Sequence, residues 1–589
     1  RVRRAYMKMM SGAEILVRSL EDLGVRRVFG YTGGSILPVY DALEKSSIGY
    51  TISVNEQCAG FNSSGYSRSS DDVGVAIVTS GPGTTNAITP VADAYADSIP
   101  MLLIAGQVRE EKKGKDAAFQ YVPIDLFRHV SKGVVSLSNG LGVEEAVKDA
   151  YYLSKSGRPG PVVIEFPLDR QNAIGEYRER DPNDYIRRYA HESHMSPEQL
   201  RNFFGLLSQS KKPLLYIGGG LNSKEASDAI RDFNAIFGIP HVNTLMAKGV
   251  MDEKHDELSL GMLGMYGTPY ANKAIQEADF FFAMGCRWDD RVADKVGEFG
   301  PKARIAYIDI SEEKVREIIK ERNLAFTFVG DAKTAIKDLI DYAECMRPEI
   351  DIAEWRDEVK ELKRRWPLDY DRSSESIQQA EVLDMLNDRL YDEDDFKITT
   401  GVGNHQMFSA QYLKMPRPKS FLTSAALGTM GFGMPAAVGA YYANPGSKII
   451  VIDGDGSNAM NNNELFTIAR YGIPLKIMVL NNNADGMVKS FQKWFYGGNY
   501  VGTLKDTDRS FARIAGAHGI PYAERIDNRK HLPGAMEDFL SSDGPSMLEI
   551  VTENIEEDIY PLIPPGKGYN EMVLGPHIKE RKPEGVPVK

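Results

Sequence analysis

Two short apolar runs, each ending in residues with metal-ligand chemistry, commit the last third of this chain to a parallel α/β sheet. Residues 448–452 read KIIVI and residues 475–480 read LKIMVL. Runs this short and this uniformly apolar are those of strands buried on both faces. The first leads into Gly454-Asp455-Gly456, the second into Asn481-Asn482. Oxygen donors at the carboxyl ends of strands stand where open α/β sheets bind ligands. The Asp455 carboxylate, the Asn482 amide oxygen and the backbone carbonyl of Ala484 form a hard, all-oxygen set, which suits Mg²⁺ holding a diphosphate better than zinc. Either fragment alone reads as a turn, because Gly, Asp and Asn make turns for generic reasons. The pair carries more weight: the two are 27 residues apart and each follows a strand.

A chain of 589 residues is longer than one hydrophobic core supports, so two to four domains are expected. Residues 1–185 alternate helix and strand, with strands at 28–30, 50–54, 74–79, 101–106 and 161–166 and helices at 12–23, 36–43 and 84–96. A polar stretch, 177–195, reads as a linker into a second α/β segment, 186–345, with strands at 213–217, 278–284 and 304–310. Residues 346–370 read as a charged connecting helix with Trp355 and Trp366 as packing anchors. Residues 371–553 hold the metal motif. In the tail, 554–589, the run YPLIPPGKG at 560–568 can continue neither a helix nor a central strand. The expected architecture is three doubly wound parallel sheets.

Composition excludes several classes. The net charge is −12, without a basic stripe, which argues against nucleic acid. No run approaches the ~20 apolar residues of a membrane span. Residues 1–10 are basic but lack the apolar core of a signal peptide. Cys58, Cys286 and Cys345 are too dispersed for a disulfide framework or a metal-ligand spacing. A cytoplasmic protein is expected.

The sequence resembles the catalytic subunit of the acetohydroxyacid synthase (acetolactate synthase) family, in the thiamine diphosphate-dependent pyruvate oxidase/decarboxylase superfamily. The resemblance runs from about residue 12 to the tail. It is carried by VFGYTGGSILPVYDAL at 28–43, VTSGPGTTNAITPVADAYADSIP at 78–100, SGRPGPVVIEFPLD at 156–169, GMLGMYGTPYAN at 261–272, GCRWDDRV at 285–292, GVGNHQMFSAQY at 401–412 and ALGTMGFGMPAAVGA at 426–440.

The resemblance implies thiamine diphosphate, Mg²⁺ and FAD as cofactors. It implies pyruvate and a second 2-ketoacid or ketone as substrates, and joins the two with loss of CO₂. Glu56, in Asn55-Glu56-Gln57, would share a proton with the cofactor's pyrimidine ring. The Gly428 carbonyl would accept from the pyrimidine amine, and Met430 would wedge beneath the ring. Gly34, His405, Gly456, Ser457 and Met487 would complete the thiamine site. In the middle domain Gly218, Gly219, Gly220, Thr244, Leu245, Met246, Gly264, Arg287 and Asp309 would hold FAD, with no redox part in the main reaction. At the substrate end, Phe119, Gln120 and Lys132 would face the reacting groups, and Arg287 would pair with the acceptor carboxylate. The superfamily places the activating glutamate and the diphosphate site on different subunits, so a homodimer or homotetramer is implied. A small regulatory subunit is a further implied partner.

The chain departs from the family pattern in three places. Phe491 stands where relatives carry Trp, a residue associated with preference for 2-ketobutyrate as acceptor. The 114–132 loop is re-spaced, one residue longer before Phe119 and one shorter before Arg128. Asn55, Asn62, Ser63 and Ser64 replace His, Met, Ala and Glu. These departures keep alternatives open: a related FAD-containing carboligase with a different ketone acceptor, a pyruvate decarboxylase or oxidase, or a non-enzymatic scaffold that kept the fold.

Overall fold

The computed structural model describes residues 8–139, 142–190, 193–505, 509–553 and 558–581. Residues 1–7 of the basic N-terminal stretch and residues 554–557 and 582–589 of the tail lie outside the described residues. Three sheets of six parallel strands organise the chain. The first runs, edge to edge, Gly49–Ile52, Arg27–Gly30, Gly74–Val78, Met101–Gln107, Pro161–Pro167, Gly133–Ser136. The third runs Phe421–Leu422, Phe396–Thr400, Lys448–Gly454, Lys476–Asn481, Ser546–Val551, Tyr522–Ile526. Counted in chain order within each sheet, both have the order 2-1-3-4-6-5. Sequence patterning alone gives no sign of that shared topology.

The middle sheet is wound differently. Its strands run Ser259–Met262, His241–Asn243, Pro213–Ile217, Phe280–Met284, Arg304–Asp309, Phe326–Val329, which is the order 3-2-1-4-5-6 used by dinucleotide-binding sheets. The central strands are apolar throughout: Phe280, Phe281, Phe282, Ala283 and Met284 are all buried, as a strand covered by helices on both faces requires.

Several local expectations change. The stretch 177–195 is not a plain linker. It carries the helix Pro182–Tyr189, N-capped by Asp181, and Tyr185 stacks on Tyr152 with ring centroids 5.5 Å apart. Lys8–Ser11 pairs antiparallel with Ile174–Tyr177, tying the start of the chain to the end of the first sheet's domain. The helix expected over 84–96 is two helices, Pro82–Asn86 and Ile88–Ala96. The helix Ala353–Arg365 joins the middle domain's core: Trp355 is buried there and its indole N–H donates to the Pro213 carbonyl at 2.9 Å. Trp366 is only half-buried, with the Lys273 ammonium 4.2 Å from its ring centroid.

The first and third domains meet through the helices Glu56–Ser69 and Gly433–Ala443. A Cβ on Gly65 would overlap the Ala436 carbonyl and one on Gly439 the Asn62 carbonyl, so glycine at both positions lets the backbones touch. Asn62, Ser63 and Ser64 are fully buried on this helix. Asn62 donates to Ser53 Oγ (2.8 Å) and Glu464 Oε1 (3.1 Å), and Ser64 Oγ accepts from Arg68 Nε (3.1 Å). These departures from the family pattern therefore serve contacts within and between domains. Arg68 is buried with Asp93 (2.7 Å) and Asp97 (2.9 Å) and also donates to the Thr423 carbonyl. Asp97 accepts from the Ala425 and Ala426 N–H groups, and Asp93 from the Thr429 hydroxyl. The network braces the loop that carries Gly428 and Met430. Among the described residues, no helix is long and apolar enough to cross a membrane.

Candidate functional site

In a sheet of order 2-1-3-4-6-5, the crevice opens between strands 1 and 3, where the connections leave in opposite directions. In the third sheet those strands are Phe396–Thr400 and Lys448–Gly454. Asp455 begins the helix Asp455–Asn461 directly at that point. Next to it, the strand Lys476–Asn481 delivers Asn482 and, two residues on, Ala484; all three residues are buried. Asn482 Oδ1 accepts from the Ala484 N–H at 3.2 Å, and Asn483 between them takes a positive φ of 51°, so the turn folds back on itself. His405 lies in the first turn of the helix Asn404–Tyr412.

This crevice passes a physical test for a polar ligand. Asn404 is 4% exposed, yet neither its amide oxygen nor its nitrogen has a partner among the described residues. Buried amides are almost always satisfied. Glycines line the same space. A Cβ on Gly486 would fall against Asn404 and within 3.0 Å of Asn482 Nδ2, and one on Gly454 would come within 2.6 Å of His405 Nδ1. Burial pushes the His405 imidazole down to about 3 and the Asp455 carboxyl up to about 6. His405 is thus neutral, and Asp455 is a buried acid that favours a cationic partner. The donor set remains one carboxylate, one amide oxygen and one backbone carbonyl, which fits Mg²⁺.

Met430 is fixed from the next residue. Gly431 donates to Ser457 Oγ (2.9 Å), and its carbonyl accepts from Asn461 Nδ2 (2.8 Å). Ser457 thus acts as a brace for the Met430 loop. The Met430 methyl lies 3.2 Å from where a Gly456 Cβ would stand. Gly428 has φ +69° and is exposed. Met487 and Phe491 lie half-buried on the helix Gly486–Phe495, and Phe491 stacks on Phe495 with centroids 5.9 Å apart. That helix is held by the tail: Asp558 accepts from Ser490 Oγ and Lys493 Nζ, both at 2.7 Å.

The first sheet presents a second cluster. Asn55 caps the helix Glu56–Ser69 by accepting from the Cys58 N–H at 2.8 Å, so its replacement of His supplies a good N-cap. Glu56 is 8% exposed. Its Oε2 accepts from Asn86 Nδ2 at 2.9 Å, while Oε1 takes no hydrogen bond among the described residues. Oε1 faces Gly83, where a Cβ would approach within 3.2 Å. Gln120, at φ +63°, packs its Cβ 2.9 Å from where one on Gly81 would stand, on the same glycine turn. Gly34 is exposed with open space around it, and Phe119 is 84% exposed. Lys132 is not gathered here: its ammonium donates to the Ser156 carbonyl and hydroxyl, and burial lowers it to about 8.

The middle sheet's switch point lies between Pro213–Ile217 and Phe280–Met284. Gly218 and Gly220 are required there by the Gly285 backbone, which a Cβ on either would strike, and Gly219 by Met246. The Gly218 and Gly220 N–H groups donate to the Met284 and Gly285 carbonyls, which leaves them unavailable to a pyrophosphate. Thr244 Oγ1 is buried without a partner among the described residues, and Asp309 is a buried carboxyl raised by burial. Leu245 and Met246 follow Thr244 in a short 3₁₀ turn, and Gly264 has φ +112°. Arg287 reaches out of this domain to donate to the Ala96 carbonyl at 2.6 Å.

Asn86, Asn404, Asp485 and Lys505 are not singled out by sequence. Asn86 and Asn404 stand inside quoted motifs, but nothing in their spacing distinguishes them from turn residues. Asp485 borders the Ala484 position, and only its fold-back contact with Lys505 gives it meaning.

Comparison with known proteins shows the family. Models of the thiamine pyrophosphate enzymes match in three parts: the N-terminal TPP binding domain over residues 10–129, the central domain over 200–339, and the C-terminal TPP binding domain over 401–550. The chain is 39% identical over 577 residues to acetolactate synthase 1, chloroplastic, of Zea mays, covering 96% of this chain and 88% of that protein. It is 35% identical over 578 residues to the acetolactate synthase large subunit of Lactococcus lactis subsp. lactis (strain IL1403), covering 98% of both. With acetolactate synthase isozyme 2 large subunit of Escherichia coli (strain K12) it shares 36% over 567 residues, 96% of this chain and 99% of that one. Two glycine-lined switch points, a buried carboxylate on one and a buried all-oxygen donor set on the other, thus occur in a chain that belongs to the acetolactate synthase family of thiamine diphosphate-dependent enzymes, as a catalytic (large) subunit.

Proposed function

We propose that the chain decarboxylates pyruvate and joins the remaining two-carbon unit to a second 2-ketoacid, giving 2-acetolactate or a related acetohydroxyacid. The observation that carries this is the pairing of Glu56, with one carboxylate oxygen unclaimed among the described residues, and the Asp455–Asn482–Ala484 crevice with the unsatisfied Asn404 beside it. When bound, thiamine diphosphate supplies an electron sink for the carboxylate's bonding pair. The chain's residues do the rest. Asp455, Asn482 and the Ala484 carbonyl would hold Mg²⁺. Asn404 and neutral His405 offer hydrogen bonds to the diphosphate. Glu56 Oε1 holds the proton exchanged with the pyrimidine ring, and Asn86 fixes its rotamer. Met430, two residues after Gly428, would pack beneath the cofactor, its methyl beside Gly456. Gln120 would face developing oxyanion charge, with Phe119 beside it on the 114–132 loop, while Lys132 of that loop is held away by Ser156. Arg287 has further N–H groups beyond the one given to Ala96, and these suit a carboxylate.

The middle domain's Gly219, Thr244, Leu245, Met246, Gly264 and Asp309 line a dinucleotide-type switch point, which supports FAD in a structural part. Exposed Tyr31 and Leu37 flank Gly34, and Leu427 adjoins Gly428. Apolar side chains around two incomplete half-sites suit burial against a second copy. Homodimer or homotetramer formation, a small regulatory subunit, and a cytoplasmic setting complete the proposal. A carboligase with another acceptor is not favoured by the relatives.

Incubation of purified protein with pyruvate, Mg²⁺ and thiamine diphosphate, followed by NMR of the products, tests the reading. One 2-acetolactate and one CO₂ per two pyruvates are expected. Acetaldehyde or acetate as the sole product contradicts it. Specificity gives a second check. Phe491→Trp adds contact area and an indole N–H, and one such change in an apolar pocket is worth ~1–3 kcal/mol. With pyruvate and 2-ketobutyrate competing in one tube, the product ratio should move ~10-fold toward the 2-ketobutyrate adduct. An unmoved ratio places the determinant elsewhere, foremost in the 114–132 loop.

A further inference from the structure

A lysine that no motif predicts stands at the metal turn. Residues 503–505 run antiparallel to 483–485: the Asp485 N–H donates to the Thr503 carbonyl (3.0 Å), the Lys505 N–H to the Asn483 carbonyl (2.9 Å), and Ala484 bridges Leu504. Backbone pairing therefore fixes where Lys505 leaves the chain. Its ammonium bonds Asp485 Oδ1 at 2.7 Å and lies 3.5 Å from Asp455 Oδ2, the carboxylate of the metal set. It also lies 2.6 Å from where a Gly456 Cβ would stand, on the side occupied by the Met430 methyl. Gly456 is in the first turn of the helix Asp455–Asn461, so Lys505, Met430 and the metal carboxylate border one space.

The charges there need a cation. Asp455 and Asp485 bring two negative charges, and His405 is held neutral by burial. A diphosphate carries more negative charge than one Mg²⁺ offsets. We infer that Lys505, held by Asp485, is a cofactor-binding residue: a second cation for the diphosphate beside the metal. An ammonium and a divalent ion sharing one polyphosphate is a recurrent arrangement, because the lysine acts as a point charge where the metal cannot reach. The inference rests on the thiamine diphosphate reading above. It would make diphosphate affinity dependent on a residue from the loop after the helix Gly486–Phe495.

The test is equilibrium binding by calorimetry at saturating Mg²⁺, with two probes, thiamine diphosphate and inorganic pyrophosphate. Lys505→Met keeps length and apolar volume but removes the charge, and its folding is checked by near-UV circular dichroism. Loss of one charge-assisted contact should weaken both probes ~10–100-fold, and Lys505→Arg should restore most of the affinity. If Lys505 merely competes with the metal for Asp455, Lys505→Met binds both probes more tightly. Tighter or unchanged binding overturns the inference. A wild-type protein that binds pyrophosphate but not thiamine diphosphate rejects the proposed function, and the pyrophosphate arm still decides the role of Lys505.

Discussion

Glu56→Gln should slow exchange of the cofactor's C2 proton by ~10²–10⁴-fold while leaving cofactor affinity within a few-fold of wild type. The change is nearly isosteric. The oxygen of the introduced amide can still accept from Asn86 Nδ2, as Glu56 Oε2 does at 2.9 Å, so the helix start and its Asn55 cap have no cause to move. What is lost is the acid–base capacity of Oε1, the oxygen without a partner among the described residues. Deuterium exchange at C2, quenched and read by NMR, measures this step without the rest of the turnover. An unchanged exchange rate removes Glu56 from the mechanism.

Asp455→Ala should abolish Mg²⁺-dependent cofactor binding at micromolar cofactor and lower turnover by about 10³-fold or more, since the metal's charge stabilisation is worth several kcal/mol. Asp455 is 4% exposed, and burial raises its carboxyl to about 6. Removing it takes away a buried acid whose charged form is disfavoured by desolvation, so the variant should fold at least as well as wild type. The expected pattern is thus a protein whose Tm without Mg²⁺ and cofactor is unchanged or higher, and whose residual activity does not respond to added Mg²⁺. Retained Mg²⁺ activation would assign the metal to other residues.

The parallel sheets are readable in the sequence because buried strands such as those of 448–452 and 475–480 must be apolar on both faces and are short and bounded by turn residues. The Asp455–Ala484 donor turn is readable because two such strands each end in an oxygen donor. Other features are not. The helix Pro182–Tyr189 hides in a charged stretch, because only Tyr185 faces inward. Gly218-Gly219-Gly220 suggests a pyrophosphate loop, yet two of the three glycines are set by the approach of Gly285, a contact 65 residues away in the chain from Gly220. Lys505 has no local signal at all; its role follows from backbone pairing with the metal turn. Asn62, Ser63 and Ser64 lie within a helix that meets another domain at two glycines, a contact their spacing does not announce. Tertiary contacts decide such positions, and single-sequence patterning does not report them.

In the proposed dimer, Glu56 of one copy and the Asp455 crevice of the other form a single active site. Mixing Glu56→Gln protein with Asp455→Ala protein, under conditions that let subunits exchange, tests it most directly. Each variant alone is expected to be inactive. In a mixed dimer one site carries both substitutions and the other carries neither, so random exchange should restore about a quarter of the wild-type activity. A mixture that stays as inactive as its parents, with exchange verified by mass, would show that the two residues serve the same site within one chain.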